Sequence, residues 1–370
     1  MKHLTKIKHI IIALFVVMAI GICGCGSREQ TEIKVIKDPV SNEQEETKPE
    51  SGENTDLNNQ AMNQEGETPD MGAWVIYWDY STAYDEICEF GDKLNTIGYF
   101  AAYFDKDNEP FIPDGTLDTI NEYKENGTFQ AHTSYLTFVN DKALESGSSL
   151  KDTELLYALI GDENLASAHA TRVLDMTEQM GCDGVEIDYE AIKKDKKLWA
   201  HFNEFTKILV DQAKERNMKV RILFEPSAPI DEYEWPDYPE YVMMCYNLYG
   251  YGTEPGPKAT GKWIKEMVKK MEYLPGQINF ALATGGFDFK EDGVVSAVNT
   301  AAAIKLERDT GASSVRDEES YDLVFNYTDD EGKNHEVWYA DRETIAKWVD
   351  SVKETGHSRI TIWRLGSNIE

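Results

Sequence analysis

The sequence predicts an α/β fold, a (β/α)8 (TIM) barrel, over residues 71–370. Three observations predict it. Apolar, strand-like runs alternate with helix-like stretches along this whole span, and eight such runs can be placed. The fourth run alternates apolar and acidic residues from Val185 to Glu190, between two helix-like stretches, where a central parallel strand belongs. The gap between the seventh and eighth runs is too long for one helix and carries hairpin chemistry of its own. The pattern alone also admits a doubly wound open sheet.

Taken in order, Trp74 to Trp78 reads as the first strand, followed by a helical stretch from Tyr84 to Leu94. Ile97 to Phe104 is the second strand and Phe129 to Phe138 the third. Leu165 to Met180 has helical periodicity and stops at Gly181, a C-terminal breaker just before the acidic strand. The helix Leu198 to Arg216 leads to a fifth strand, Met218 to Phe224, and Tyr241 to Tyr246 is the sixth. The helix Trp263 to Met271 precedes the seventh strand, Ile278 to Ala283. Ile345 to Thr355 is the last helix before the eighth strand, Ile360 to Trp363. A small α+β insertion fills roughly 290–340: a helical run near Val295 to Leu306, then two alternating runs, Tyr321 to Tyr327 and His335 to Tyr339, joined by Thr328-Asp329-Asp330-Glu331-Gly332.

Ahead of the barrel, Lys2, Lys6 and Lys8 precede an apolar run from Ile10 to Ile22, which reads as a secretory signal over residues 1–25 and is too short to span a bilayer comfortably. The run ends in Ile22-Cys23-Gly24-Cys25, similar to a bacterial lipoprotein cleavage box, with Cys25 the better lipid acceptor because Cys23 follows the bulky Ile22. Residues 26–70 contain no aromatics and many Glu, Asn, Gln, Ser and Thr, a composition that cannot offset the entropy of ordering. They read as a disordered acidic tether with an r.m.s. span of roughly 35–40 Å. The expected location is the outer face of the bacterial cytoplasmic membrane, reached by a lipid anchor.

A formal charge of −30 argues against nucleic acid or an anionic lipid surface as partner, since both demand a basic patch. The five cysteines do not form a disulfide framework; Cys88, Cys182 and Cys245 read as buried free thiols. The seven histidines show no ligand spacing, so no metal is expected. No glycine-rich phosphate loop sits between strand and helix, so neither nucleotide nor other cofactor is expected.

The chemistry concentrates in Cys182-Asp183-Gly184-Val185-Glu186-Ile187-Asp188-Tyr189-Glu190. On a strand, Glu186, Asp188 and Glu190 share one face, and three carboxylates pointing the same way repel one another. Such a set is kept where a proton must be held and then released. The stretch resembles the signature of glycoside hydrolase family 18, the chitinase-like enzymes, with pattern Asp-Gly-x-Asp-x-Asp-x-Glu. Asp183, Gly184, Asp188 and Glu190 fall on its fixed positions, and Glu186 stands where the family has Asp or Asn. The insertion, including Glu336-Val337-Trp338-Tyr339, is similar to that of bacterial members of spore-glycosidase type, and the resemblance spans most of residues 71–370.

The resemblance implies roles for particular residues. Glu190 is the general acid, Asp188 orients the substrate's acetamido group, and Glu186 shares a proton or hydrogen bond with Asp188. Met243-Met244-Cys245-Tyr246-Asn247 resembles the family's Met-x-Tyr-Asp segment. Tyr246 then hydrogen-bonds the acetamido carbonyl, Met244 lines the pocket, and Asn247 replaces the usual Asp without its charge. Ile362-Trp363-Arg364-Leu365-Gly366 matches the final Trp-containing strand, with Trp363 flooring the sugar site and Tyr77 a weaker candidate for the same pocket. Gly285 stands where the family often has Tyr, and Glu225 is an acid at a strand end with two readings, site residue or solvated loop charge.

The implied reaction is retaining, substrate-assisted hydrolysis of β-1,4-linked N-acetylglucosamine polymer, peptidoglycan or spore cortex ahead of chitin. The substrate's own acetamido carbonyl replaces a second carboxylate as nucleophile. The alternative is a catalytically weak carbohydrate-binding protein on the same barrel; such proteins typically lose the catalytic Glu, and Glu190 is present. A solute-binding lipoprotein, suggested by the cleavage box alone, requires two similar lobes, against which the eight-strand order argues.

Overall fold

The computed structural model describes residues 69–90 and 93–368. The leader, Cys25 and nearly all of the acidic stretch 26–70 lie outside the described residues.

Eight parallel strands close on themselves: Asp70–Ile76, Leu94–Phe104, Thr133–Ala143, Gly184–Asp188, Lys219–Phe224, Glu240–Met244, Gln277–Ala283 and Arg359–Trp363. Each pairs with its sequence neighbour among these eight, and the last pairs with the first, which excludes the open sheet. Closure matters for function, because it converts one face of every strand into a single lumen and leaves no sheet edge. No helix among the described residues is long and apolar enough to cross a membrane.

Each boundary has a local cause. Asp162 caps the helix Glu163–Met180 by accepting from the Leu165 amide, and Gly181 ends it at φ 70°, a left-handed conformation that favours glycine. Two residues later Asp183 accepts hydrogen bonds from the Ser134 amide and hydroxyl, at 2.8 and 2.9 Å, which pins the start of the acidic strand to the third strand. Gly184 must be glycine here, since a Cβ would come within 2.5 Å of the Tyr135 ring. The Asp-Gly of the motif is therefore a structural register lock.

Several expectations need correction. The first strand ends at Ile76, and Tyr77–Asp79 form a 3-10 turn. The first helix runs Tyr80–Phe90, so Leu94 opens the second strand. Phe129 lies on a short helix, Thr128–Ala131, ahead of the third strand. Helices at Asp114–Glu125 and Thr153–Ile160 were not anticipated. Val295–Val298 is a strand, and only from Thr300, capped by Asn299, does a helix begin. Cys88 is exposed, whereas Cys182 and Cys245 are buried thiols.

The hairpin in the insertion forms as expected, Leu323–Thr328 against Asn334–Ala340. It belongs to a five-stranded antiparallel sheet that opens at Gly285, directly after the seventh strand. Gly286 packs so closely on this sheet that a Cβ would lie 1.7 Å from the Trp338 carbonyl oxygen.

Two apolar regions hold the barrel. The larger, with Leu174, Phe202, Phe205, Leu209 and Trp348, lies between strands and helices, and each fully buried side chain of this kind stabilises the fold by ~1.5–3 kcal/mol. The smaller lines the lumen: Trp74, Ile76, Phe100, Tyr103, Val242, Met244 and Tyr246, with Trp363 packed against it.

Beneath this lining runs a polar rung. Thr137, Glu186, Arg221 and Glu240 are register partners across four adjacent strands. The Arg221 guanidinium lies 2.8 Å from Glu186 and 2.8 Å from Glu240, and donates to Thr361 Oγ1 at 2.8 Å. Its flanks face the rings of Trp74 and Tyr135. Strand two contributes Gly98, where a Cβ would strike the Trp74 indole at 2.5 Å.

Candidate active site

The acids of the fourth strand rise through the lumen in the order Glu186, Asp188, Glu190, all buried. Strand hydrogen bonding ends at Asp188, so Glu190 sits two residues beyond the strand, at the C-terminal rim where barrels of this kind place their chemistry.

Glu186 takes a different part from the one the resemblance implies. Its Oε1 accepts from Trp74 Nε1 at 2.5 Å and from Thr137 Oγ1 at 2.6 Å, and its Oε2 faces Arg221. The first two are hydrogen bonds and the third an ion pair, and among the described residues none runs to Asp188. The extra methylene relative to Asp extends the carboxylate toward the rung below.

Asp188 is left with a buried Oδ1 that has no hydrogen-bond partner among the described residues. Burial pushes its carboxyl well above the ordinary value, and the negative charges of Glu190 and Glu186 add to the effect while Lys151 opposes it. Burial and the neighbouring acids thus favour the neutral form of Asp188, which keeps an unsatisfied oxygen in the lumen. Glu190 is raised too, chiefly by burial and further by Glu225, with the Lys151 ammonium pulling the other way.

The backbone around Glu190 is held from three sides. The Asn140 side chain bridges it, donating to the Glu190 carbonyl at 3.1 Å and accepting from its amide at 2.9 Å. Tyr189, on the opposite face of the strand, makes a 2.6 Å hydrogen bond with His169 Nε2. His169 is fully buried, and burial lowers it to about 3, so it stays neutral. Glu225 accepts from the Ala191 amide at 3.0 Å and pairs with Lys193 at 3.0 Å. This resolves its two readings: Glu225 anchors the segment that follows the acid.

Tyr246 is buried one residue past Cys245, in the same lumen lining. Burial raises its phenol far above the ordinary value, and the charges of Asp188, Glu190 and Glu186 reinforce this, so it remains an O–H donor. Asn247 follows at φ 60°, a left-handed conformation that Asn tolerates better than most residues. Met244 is buried in the lining, and Trp363 is half-buried there, edge-on to Trp74 at 5.7 Å and to Phe100 at 4.8 Å. Tyr77 is half-buried on the 3-10 turn after the first strand, near enough to Tyr103 of the lining to raise that phenol. Its ring packs against Trp78 and so tightly over Gly115 that a Cβ there would lie 2.5 Å away. Among the described residues no group of three or more His, Cys, Asp and Glu is placed to hold a metal ion.

Sequence reasoning missed Asn140, Lys151, His169 and Arg221. Arg221 alternates with Val220 and Ile222 in an apolar strand, which is a signal for a paired buried charge. Lys151, far from the motif in the chain, carried none.

No family model matches the chain. In sequence it is 21% identical over 336 residues to an uncharacterized glycosylase, YvbX, of Bacillus subtilis, covering 84% of this chain and 92% of that one. It is 22% identical over 301 residues to the cortical fragment-lytic enzyme of Bacillus anthracis, covering 74% of this chain and 66% of that enzyme. Among solved structures it resembles the chitinase of Chromobacterium violaceum, with TM-score 0.68, 17% identity and coverage of 82% and 96%. It also resembles the spore cortex-lytic enzyme SleL of Bacillus cereus, with TM-score 0.66, 20% identity and coverage of 80% and 71%. The structures share the fold, the closed barrel described above; the relatives in sequence are glycosylases and cortex-lytic enzymes, and their names point to a glycoside hydrolase.

Proposed function

We propose that the chain hydrolyses β-1,4-linked N-acetylglucosamine polymer with retention of configuration, using the substrate's acetamido group as nucleophile. The observation that carries this reading is the buried, unpartnered Asp188 Oδ1 between Glu190 and Tyr246 in one lumen. The Asp188 carboxyl and the Tyr246 hydroxyl suit an acetamido group, one partner for its N–H and one for its carbonyl. Glu190, its carboxyl raised by burial and held back by Lys151, gives its proton to the leaving oxygen as the acetamido oxygen attacks the anomeric carbon. The same carboxylate then takes a proton from the water that opens the oxazolinium ring. Trp363 offers an apolar ring to the sugar face.

Peptidoglycan or spore cortex is the substrate we favour over chitin, on the strength of the cortex-lytic relatives and the lipoprotein-type leader. In this reading a lipidated Cys25 holds the protein at the outer face of the membrane and residues 26–70 form its tether. The test is product analysis: N-acetylglucosamine oligomers and purified cortex are incubated with the protein, and products are identified by mass and by the anomer first released. Initial β-anomer from acetylated substrate, and no cleavage of the deacetylated oligomer, is the expected result. Equal cleavage of the deacetylated oligomer would contradict it; binding without cleavage would favour a carbohydrate-binding role.

A further inference from the structure

Lys151 lies 39 residues from Glu190 in the chain, yet its ammonium sits 2.6 Å from Glu190 Oε2. Both side chains are nearly buried, 12% and 10% exposed. The contact is built from several independent restraints. Lys151 holds φ 50°, a left-handed backbone that a residue with a Cβ adopts at a cost. Its amide donates to Asp141 Oδ1 at 2.7 Å, and the next amide, Asp152, donates to the Asn140 carbonyl at 2.8 Å. Asn140 is the residue whose side chain clamps the Glu190 backbone from both sides. One end of the third strand thus fixes both partners of the ion pair, and the short pairing of Lys142 and Ala143 with Ser149 and Ser148 turns the chain back to deliver Lys151.

We propose that Lys151 is a positioning residue for the reaction, holding the Glu190 carboxyl group in place and supplying a cation at contact distance. The proposal rests on the glycosidase reading above. Its physical need is clear from the neighbours: Asp188 on the same strand, Asp141 from the third strand and Glu225 from the fifth all act on the lumen end occupied by Glu190, with the Tyr246 phenol beyond Asp188. Lys193, the other cation nearby, is paired with Glu225. Burial and the charges of Glu225 and Asp141 all favour a neutral Glu190, which then holds its proton more tightly than a donor should. Lys151 offsets this by stabilising the carboxylate, the form produced when the proton goes to the leaving oxygen and required again when water is deprotonated. Burial works against the lysine's own charge, but Glu190, Glu225 and Asp188 hold it protonated.

The test compares the wild-type chain with Lys151→Met and Lys151→Arg. Removing the cation raises the proton affinity of Glu190, so the acid stays protonated to higher pH. The alkaline limb of kcat/KM on an N-acetylglucosamine oligomer is then expected to move up by on the order of one pH unit in Lys151→Met, with kcat reduced, and to stay near wild type in Lys151→Arg. The Glu190 carboxyl is also titrated directly by carbon NMR in wild type and both variants, a readout that needs no turnover and separates this inference from the glycosidase reading. An upward shift in Lys151→Met with rescue by Lys151→Arg supports the proposal. An unchanged Glu190 titration in Lys151→Met, or the same shift in both variants, overturns it. If wild type cleaves no acetamido sugar, the glycosidase reading fails, and the role of Lys151 in that reaction fails with it, whatever the titration reads.

Discussion

The Arg221 guanidinium and the Glu186 carboxylate meet at 2.8 Å in the barrel interior, and neither side chain is exposed at all. Two charges in such a place hold only as a pair. The position that departs from the chitinase-like signature is thus occupied by half of a buried ion pair, on a rung that also contains Glu240, Thr361 and Thr137.

Shortening that acid should therefore harm the protein. Glu186→Asp draws the carboxylate back from Arg221, Trp74 and Thr137, and Glu186→Gln leaves the guanidinium with one anion instead of two. Breaking a buried pair costs ~3–5 kcal/mol. Denaturant unfolding is expected to show a loss of that order for Glu186→Gln and a smaller loss for Glu186→Asp. Unchanged midpoints for both would remove the rung from the account.

Stability should depend on pH through Asp188. Its carboxyl is raised above the ordinary 3.8 by burial first and by Glu190 next. The folded state therefore binds the proton more tightly than the unfolded chain. That contribution is fully present below the unfolded value and is lost as pH rises through the folded one. Asp188→Asn has no proton to lose, so its melting temperature relative to wild type should climb as pH rises above about 4. A difference that is flat with pH would contradict the assignment.

Much of this was legible in the sequence, for a physical reason. Strands buried on both faces must be apolar or must alternate conspicuously, so the eight barrel strands could be placed, and Gly181 marked a helix end that the structure keeps. What failed had weak signals. The helix Asp114–Glu125 is polar over most of its length and buries only Thr116, Thr119, Ile120 and Tyr123. Val295–Val298 has too few residues to separate an edge strand from a helix start. Glu186, Asp188, Glu190 and Tyr246 stand out as candidates because a strand's alternation and a known motif mark them, and the structure places all four in one lumen. Lys151 and Asn140 could not be found that way, since their partnership with Glu190 exists only once the third and fourth strands pair.

Tyr246 should act on rate more than on folding. With its hydroxyl in a lumen shared with two acids, Tyr246→Phe is expected to lower kcat/KM by about 10²-fold, the scale of losing one donor in a preorganised site. Melting should change little, because the ring is retained. Full activity in Tyr246→Phe would show that the hydroxyl does not meet the substrate.

Anchoring is tested at the leader. If Cys25 carries the lipid, Cys25→Ser should release the protein from the membrane fraction while Cys23→Ser stays bound. Retention of the Cys25→Ser protein would contradict the anchor.

The central claim is that Glu190 is the acid, and turnover of an N-acetylglucosamine oligomer by Glu190→Gln beside wild type tests it most directly. Glutamine keeps the size of the side chain and removes the transferable proton. The predicted result is a loss in kcat on the order of 10²–10⁴ with oligomer affinity, measured separately, nearly unchanged. A Glu190→Gln protein that turns over substrate at the wild-type rate would contradict the account.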